Sequence, residues 1–454
     1  MKNELIYEKK TVYERAGRAI TEKAFAYAED YKRFLDAGKT ERESLRAAVA
    51  MAEAHGFTEY RLGDKIRVGD KKYLNNRGKN LFLFSIGSEP ITEGIRITAA
   101  HIDAPRIDLK QCPLYEDGGM GFFKTHYYGG IRKYQWLATP LSLHGVIVTK
   151  DERVIDVVIG EDESDPVFYI NDLLPHLAQD QAKKPLSEAI SGEQLNILIG
   201  SMPDEEEHSI KLNILKLLNE KYGITEDDFL SAELSVVPAA RARDVGFDRS
   251  MIGAYGHDDR VCAYPAMTAL FDNDDSKHTL LCILADKEET GSDGPSGMQS
   301  VLMIDLINEI SHALGGNPAV VRAHSKCLSA DVSAAFDPNF AEVFEKRNAA
   351  MLGCGAVFTK FTGSRGKSST NDANAEYVGW LRHILSKDDV VWQAAELGKV
   401  DVGGGGTVAK YISKHNIDTI DLGVPVLSMH APFEVIAKVD LYETYRACAA
   451  FYKY

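Results

Sequence analysis

Leu280–Gly297 reads LLCILADKEETGSDGPSG. Six apolar or small residues lead into Asp286, two adjacent carboxylates follow at Glu288 and Glu289, and a Gly- and Ser-rich loop closes the stretch. An apolar run of this length without polar alternation predicts a strand buried on both faces, as in a sheet covered by helices on each side. Sheets of that kind bind ligands beyond the carboxyl ends of their strands. A doubled acid at such an end is therefore a candidate functional feature. Neighbouring strand side chains point apart, so the chain must turn near Lys287 for both carboxylates to enter one site.

The flanking sequence fits an α/β protein. From Val12, apolar positions Ala16, Ile20, Ala24, Ala28, Tyr31 and Leu35 recur at helical spacing and stop before Gly38. Thr40 and Glu43 form a capping box that opens a helix through Ala54. The runs NLFLFSIG and GIRITAAHID read as strands. After about residue 238, apolar runs (LLCILAD, KCLSAD, VVWQAAE, DTIDLG) alternate with helix-length segments at Ser296–Leu314, Asn374–Leu385 and Glu434–Tyr452. The middle of the chain differs, with runs such as GVIVT and RVIDVVIG joined by short turns. The expected organisation is one α/β domain made of residues 1–103 and 238–454, with a mixed sheet sandwiched by helices. A mainly β domain at 104–237 is inserted into it.

Length and charge narrow the function. A chain of 454 residues suits two domains. A net charge of −15 argues against nucleic acid and against anionic membrane surfaces. MKNELIYEKK has no apolar core of the signal-peptide kind, and a cytoplasmic location is expected. The six cysteines are widely spaced, which suits reduced core residues rather than a thiolate metal site.

The strand ends collect metal-ligand residue types. ITAAHIDAP supplies His101 and Asp103, GAYGHDDR supplies His257, Asp258 and Asp259, and CILADKEE supplies Glu288 and Glu289. KCLSAD ends in Asp331 and PVLSMHAP in His430. Each has an ordinary explanation by itself, since Asp258 could cap a helix and a single histidine is usually a satisfied core residue. Five arrivals at one sheet edge are costly to desolvate unless cations neutralise them. Histidines and carboxylates without a thiolate suit zinc, with manganese or cobalt also compatible. One of the two adjacent glutamates can bind metal while the other serves as general base.

The segments AAHIDAPRIDLK, GAYGHDDRVCA, DKEETGSDG, LSADVSAAFDPN and LSMHAPFEV, in this order, resemble the signature segments of the metalloaminopeptidase family of aspartyl aminopeptidase and the vacuolar aminopeptidases. The resemblance covers most of the chain and implies a zinc-peptidase fold with an inserted dimerisation domain. It further implies a dizinc site: Asp258 bridging two divalent ions, His101 and Asp331 completing one, Glu289 and His430 the other. Glu288 would be the general base and Asp103 would orient His101. LLPHLAQD resembles the segment whose histidine, here His176, reaches a partner's active site across a dimer. The reaction implied is removal of the N-terminal residue of peptides by water activated between the two ions. Assembly into a homo-oligomer, from dimers to a tetrahedral dodecamer, is implied likewise. Acidic residues at the peptide N-terminus would need a cation in the specificity pocket, for which Lys360 and Lys367 in FTKFTGSRGKSS are candidates, so neutral and acidic preferences both stay open. GKVDVGGGGTVAK could form an anion-binding nest or a tightly packed turn. Two other functions fit the same residues: a dimetal amidase or carboxypeptidase of related fold, and a non-catalytic scaffold. The second would require a lost ligand or base, and every motif position is filled.

Overall fold

The computed structural model describes residues 5–273 and 275–454, so the first four residues of the N-terminal reading lie outside the described residues. It divides into two compact units. The first comprises residues 1–103, 242–429 and 434–454, and the second residues 104–241 and 430–433.

A nine-stranded sheet organises the first unit. From edge to edge its strands are Thr58–Glu59, Lys71–Asn76, Asn80–Ser85, Thr279–Ala285, Ile95–His101, Lys326–Ser329, Asp418–Gly423, Ala356–Thr359 and Trp392–Ala394. Four central strands, from Thr279–Ala285 to Asp418–Gly423, run parallel, and antiparallel pairing flanks them on both sides. This is a mixed sheet sandwiched by helices. The opening stretch shows how the sequence builds it. Along Thr279–Ala285 every residue is buried. Leu280, Cys282 and Leu284 face one apolar cluster, and Leu281, Ile283 and Ala285 face another, which is the period-two consequence of a strand covered on both sides.

Helices Gly17–Ala37, Glu41–Ala54, His257–Phe271, Ala375–Lys387 and Lys438–Lys453 contribute to the first cluster, and Leu302–Ala313 to the second. The expected capping box is formed: Thr40 Oγ1 accepts from the Glu43 amide at 3.3 Å and Glu43 Oε2 accepts from the Thr40 amide at 3.0 Å. Three boundaries differ. The helix expected from Val12 breaks at Ala16–Gly17, where Gly17 has φ +70°. Residues 296–301 form turns before the helix Leu302–Ala313. The segment Glu434–Tyr452 starts as a strand, Glu434–Ala437, because that stretch pairs with Met251–Ala254. A five-stranded sheet containing this pair completes the unit.

The second unit holds a seven-stranded antiparallel sheet. Its order is Val154–Ile159, Leu141–Val148, Ala232–Pro238, Arg106–Asp117, Met120–Tyr128, Ile197–Gly200 and Tyr169–Ile170. One 13-residue helix, Ile210–Tyr222, accompanies it.

Candidate metal centre

The parallel register delivers the site. Ala285 lies opposite His101, so the chain leaving the strand Thr279–Ala285 emerges beside the imidazole. The turn falls at Lys287, which adopts φ +65°, and a single 3₁₀ turn, Glu288–Thr290, follows. Asp103 fixes that turn. Its Oδ1 accepts from the Glu288 amide at 3.2 Å and its Oδ2 from the Glu289 amide at 3.3 Å. The same carboxylate lies 3.2 Å from His101 Nδ1, and the Asp103 carbonyl lies 3.0 Å from that nitrogen. His101 Nε2 is thereby aimed away from the strand, at Asp258 Oδ1 (3.1 Å), with Glu288 Oε2 at 4.0 Å.

Asp258 and Asp259 occupy the irregular first turn of the helix His257–Phe271, and neither caps it, since Gly256 is the N-cap. The Asp258 amide donates to Glu434 Oε2 at 3.1 Å, and Asp259 Oδ2 accepts from the His101 amide at 3.2 Å. Two groups of donor atoms result, each with all members within 4.8 Å of one another: His101, Asp258 and Glu289, and His101, Asp259 and Asp331. His257 stands apart as a structural residue. It is buried between the Tyr31 hydroxyl (2.9 Å) and the Ile252 carbonyl (3.2 Å), and burial pulls its pKa down to about 3.

The charge balance tests whether a divalent cation fits. His101, Asp258 and Asp259 are 1%, 3% and 0% exposed. The nearby Arg260 is turned away, its guanidinium donating to the carbonyls of Ile102 and Lys39 at 3.2 and 2.9 Å. Burial pushes the Asp259 carboxyl well up and Asp258 adds to the rise, though His101 opposes it. Asp331 is raised by burial, then by repulsion from Asp259 and Glu288. Burial disfavours charge on His101, yet its hydrogen bonds to Asp103 and Asp258 prevail and lift its pKa well above the ordinary value. Asp259 Oδ1 is buried with no hydrogen-bond partner among the described residues. The carboxylates repel one another and draw positive charge to the Nε2 side of His101. A hard-to-borderline divalent ion with oxygen and nitrogen ligands answers that demand. Cys262 beside Asp259 stays a neutral thiol, its pKa raised by burial.

The remaining expected residues lie elsewhere. His430 is grouped with the second unit, where its Nδ1 is 2.9 Å from the Gly130 carbonyl. His176 is exposed on a turn of the second unit. Lys360 and Lys367 both pair with Asp372, at 2.7 and 3.0 Å, and Lys367 also rests 3.8 Å from the Phe361 ring. The glycine run is a packed turn: a Cβ on Gly403 would sit 2.0 Å from the Leu397 carbonyl oxygen, and Gly404 has φ +117°. Sequence reasoning placed Asp259 among the strand-end acids but assigned it no role, and it overlooked Glu434, whose link to Asp258 spans 176 residues and leaves no local trace.

A sheet that gathers carboxylates and an imidazole for a divalent ion at its strand ends defines a metal-dependent hydrolase of the α/β class. Comparison with known proteins narrows the class. Residues 34–452 match the model of the aminopeptidase I zinc metalloproteases (M18). A probable M18 family aminopeptidase 1 of Clostridium acetobutylicum is 50% identical over 462 aligned residues, covering 99% of each chain. The crystal structure of an M18 aminopeptidase from Thermotoga maritima superposes with a TM-score of 0.94 at 41% identity, over 99% of this chain and 100% of that one. The mApe1 dodecamer of S. cerevisiae, at 20% identity and a TM-score of 0.78 over 94% of this chain and 96% of that one, shares the fold. The chain belongs to the M18 family of zinc metalloproteases and is a metalloaminopeptidase.

Proposed function

We propose that this enzyme is a dizinc aminopeptidase that hydrolyses the N-terminal peptide bond of peptides. The supporting observation is the pair of donor groups sharing His101, which offers enough carboxylates for two ions rather than one. By family resemblance, Asp258, His101 and Asp331 would hold one ion, and Asp258, Glu289 and His430 would hold the other. Asp259 shores up the cluster through the His101 amide. When bound, the ions supply Lewis acidity to the attacking water and to the scissile carbonyl.

The protein's own groups do the rest. Glu288 is the general base: it takes a proton from the water and later returns it to the leaving amine. Asp103 keeps Glu288 and Glu289 presented by holding both amides and fixes the His101 ring. His176 serves a neighbouring copy's active site, which makes the enzyme an obligate dimer and, like mApe1, a dodecamer. The residue released is neutral or acidic. Asp372 pairs with both Lys360 and Lys367 and cancels only one of their two charges, so the pair stays a candidate for an acidic residue, and initial rates on Leu- and Asp-derived amides separate the two preferences.

The decisive experiment is Glu288→Gln with metal counted. Turnover should fall by about 10²–10⁴-fold while two ions stay bound, whereas Asp258→Ala should lose metal. Wild-type turnover by metal-loaded Glu288→Gln ends the assignment of the base. A single ion per chain in the active wild-type enzyme ends the dizinc reading.

A further inference from the structure

At the edge strand Trp392–Ala394 of the nine-stranded sheet, a cavity of about 340 Å³ opens between that strand, the N-terminal segment and the helix Ala375–Lys387. Four strand spacings, roughly 19 Å, separate this strand from Ile95–His101 and its metal cluster. Lys10, Arg15 and Arg382 line the cavity with a single carboxylate, Glu8. In a chain of net charge −15, this local surplus of cations runs against the overall balance. None of the three forms an ion pair among the described residues, although the carboxylates of Glu14 and Glu443 act at longer range on Lys10 and Arg15. The cavity also has a flat aromatic wall: Tyr7 and Trp392 stack with centroids 6.4 Å apart and planes 21° apart, and the Arg382 guanidinium sits 5.9 Å from the Trp392 ring. The segment carrying Tyr7 and Lys10 is anchored. Lys9 Nζ donates to the Ala349 carbonyl at 2.6 Å, the Val12 amide donates to the Gly353 carbonyl at 2.8 Å, and Val12 is buried.

Two guanidinium forks and an ammonium facing one space match the oxygens of a phosphate, whose double charge they neutralise. A planar ring gains further by lying on an exposed aromatic face such as that of Tyr7. We propose that this cavity binds a phosphate monoester carrying a planar ring, the chemistry of a mononucleotide. The phosphate sits among Arg15, Arg382 and Lys10, and the ring extends the Tyr7–Trp392 stack on the exposed face of Tyr7.

Calorimetric titration of the full, zinc-loaded enzyme with AMP, inorganic phosphate and adenosine tests this. One AMP should bind per chain, about ten-fold tighter than inorganic phosphate because of the stacked ring, and adenosine should give no heat. Arg382→Glu and Arg15→Glu should each weaken AMP binding by about ten-fold or more while peptide hydrolysis stays at the wild-type rate. Tyr7→Leu should abolish the preference for AMP over phosphate. Absence of AMP binding overturns the proposal. So does AMP binding undiminished in both charge-reversal variants, which places the nucleotide on the zinc ions, and so does equal affinity for AMP and phosphate in the wild type.

Discussion

Asp244 and Asp259 are carboxylates of the same unit, both shielded from solvent, with opposite surroundings. Asp244 lies 2.8 Å from Lys438 Nζ, 2.9 Å from Lys32 Nζ and 2.7 Å from Arg249 Nε. Burial raises its pKa, but the three cations reverse that and hold it well below the usual carboxylate range. Asp259 has the Asp258 carboxylate as its neighbour and an arginine turned away from it, and burial pushes its pKa up. The first cluster carries its counter-charges in its own sequence and is complete as folded. The second lacks them, so its stability and its function depend on cations taken from solution.

Removing a built-in cation is the most severe way to break this contrast. Lys438 is 1% exposed, so Lys438→Met should cost about 3 kcal/mol, at the lower end of the range for a broken buried pair because Lys32 and Arg249 remain. Thermal unfolding should show the loss, with zinc content and turnover per folded chain unchanged. If zinc content fell in step, the two clusters would not be independent.

Asp103 offers a milder test on the metal side. It touches no reacting atom; it holds the His101 ring and the turn bearing Glu288 and Glu289. Asp103→Asn keeps the size but replaces an acceptor with a donor facing an N–H. Zinc affinity in a chelator competition should drop by about 10–100-fold, with little change in the unfolding temperature of the zinc-free protein. A variant with unaltered zinc affinity would reduce Asp103 to a packing residue.

The contrast also explains what the sequence revealed. The doubled acid after an apolar run, the His-x-Asp of 101–103 and the capping box at Thr40 are local patterns, and local patterns survive in one dimension. The turn at Lys287 was required by strand geometry, because Glu288 and Glu289 could not otherwise face one site. Asp259 was legible only as one of several strand-end acids, since adjacency to Asp258 does not reveal that both side chains enter the cluster. Glu434 was not legible: the strand Glu434–Ala437 brings it to Asp258 by a sheet pairing that helical periodicity in the following residues concealed. Nor did composition distinguish Lys438, which completes a buried cluster, from Lys360, which pairs on the surface. Which counter-charge a residue finds is a property of tertiary contacts alone.

Asp421 is a third case, and its effect should show only as a pH dependence. It is 3% exposed, and its neighbours are neutral: Ser329 Oγ and Thr407 Oγ1 each donate to Oδ1 at 2.7 Å, while Oδ2 has no hydrogen-bond partner among the described residues. Burial lifts its pKa from 3.8 to about 6, against the pull of the two hydroxyls. The folded state therefore holds a proton that the unfolded state releases between about pH 4 and 6, so this residue's contribution to stability declines as pH rises through that window and levels off above it. Asn cannot ionise and keeps the acceptor for both hydroxyls. Asp421→Asn should then gain about 2 kcal/mol on the wild type between pH 4.5 and pH 7.5, read as a shift in the unfolding midpoint at each pH. Equal midpoint differences at the two pH values would mean that Asp421 is already ionised when buried, and that two hydroxyls can stand in for the cations that Asp244 needs.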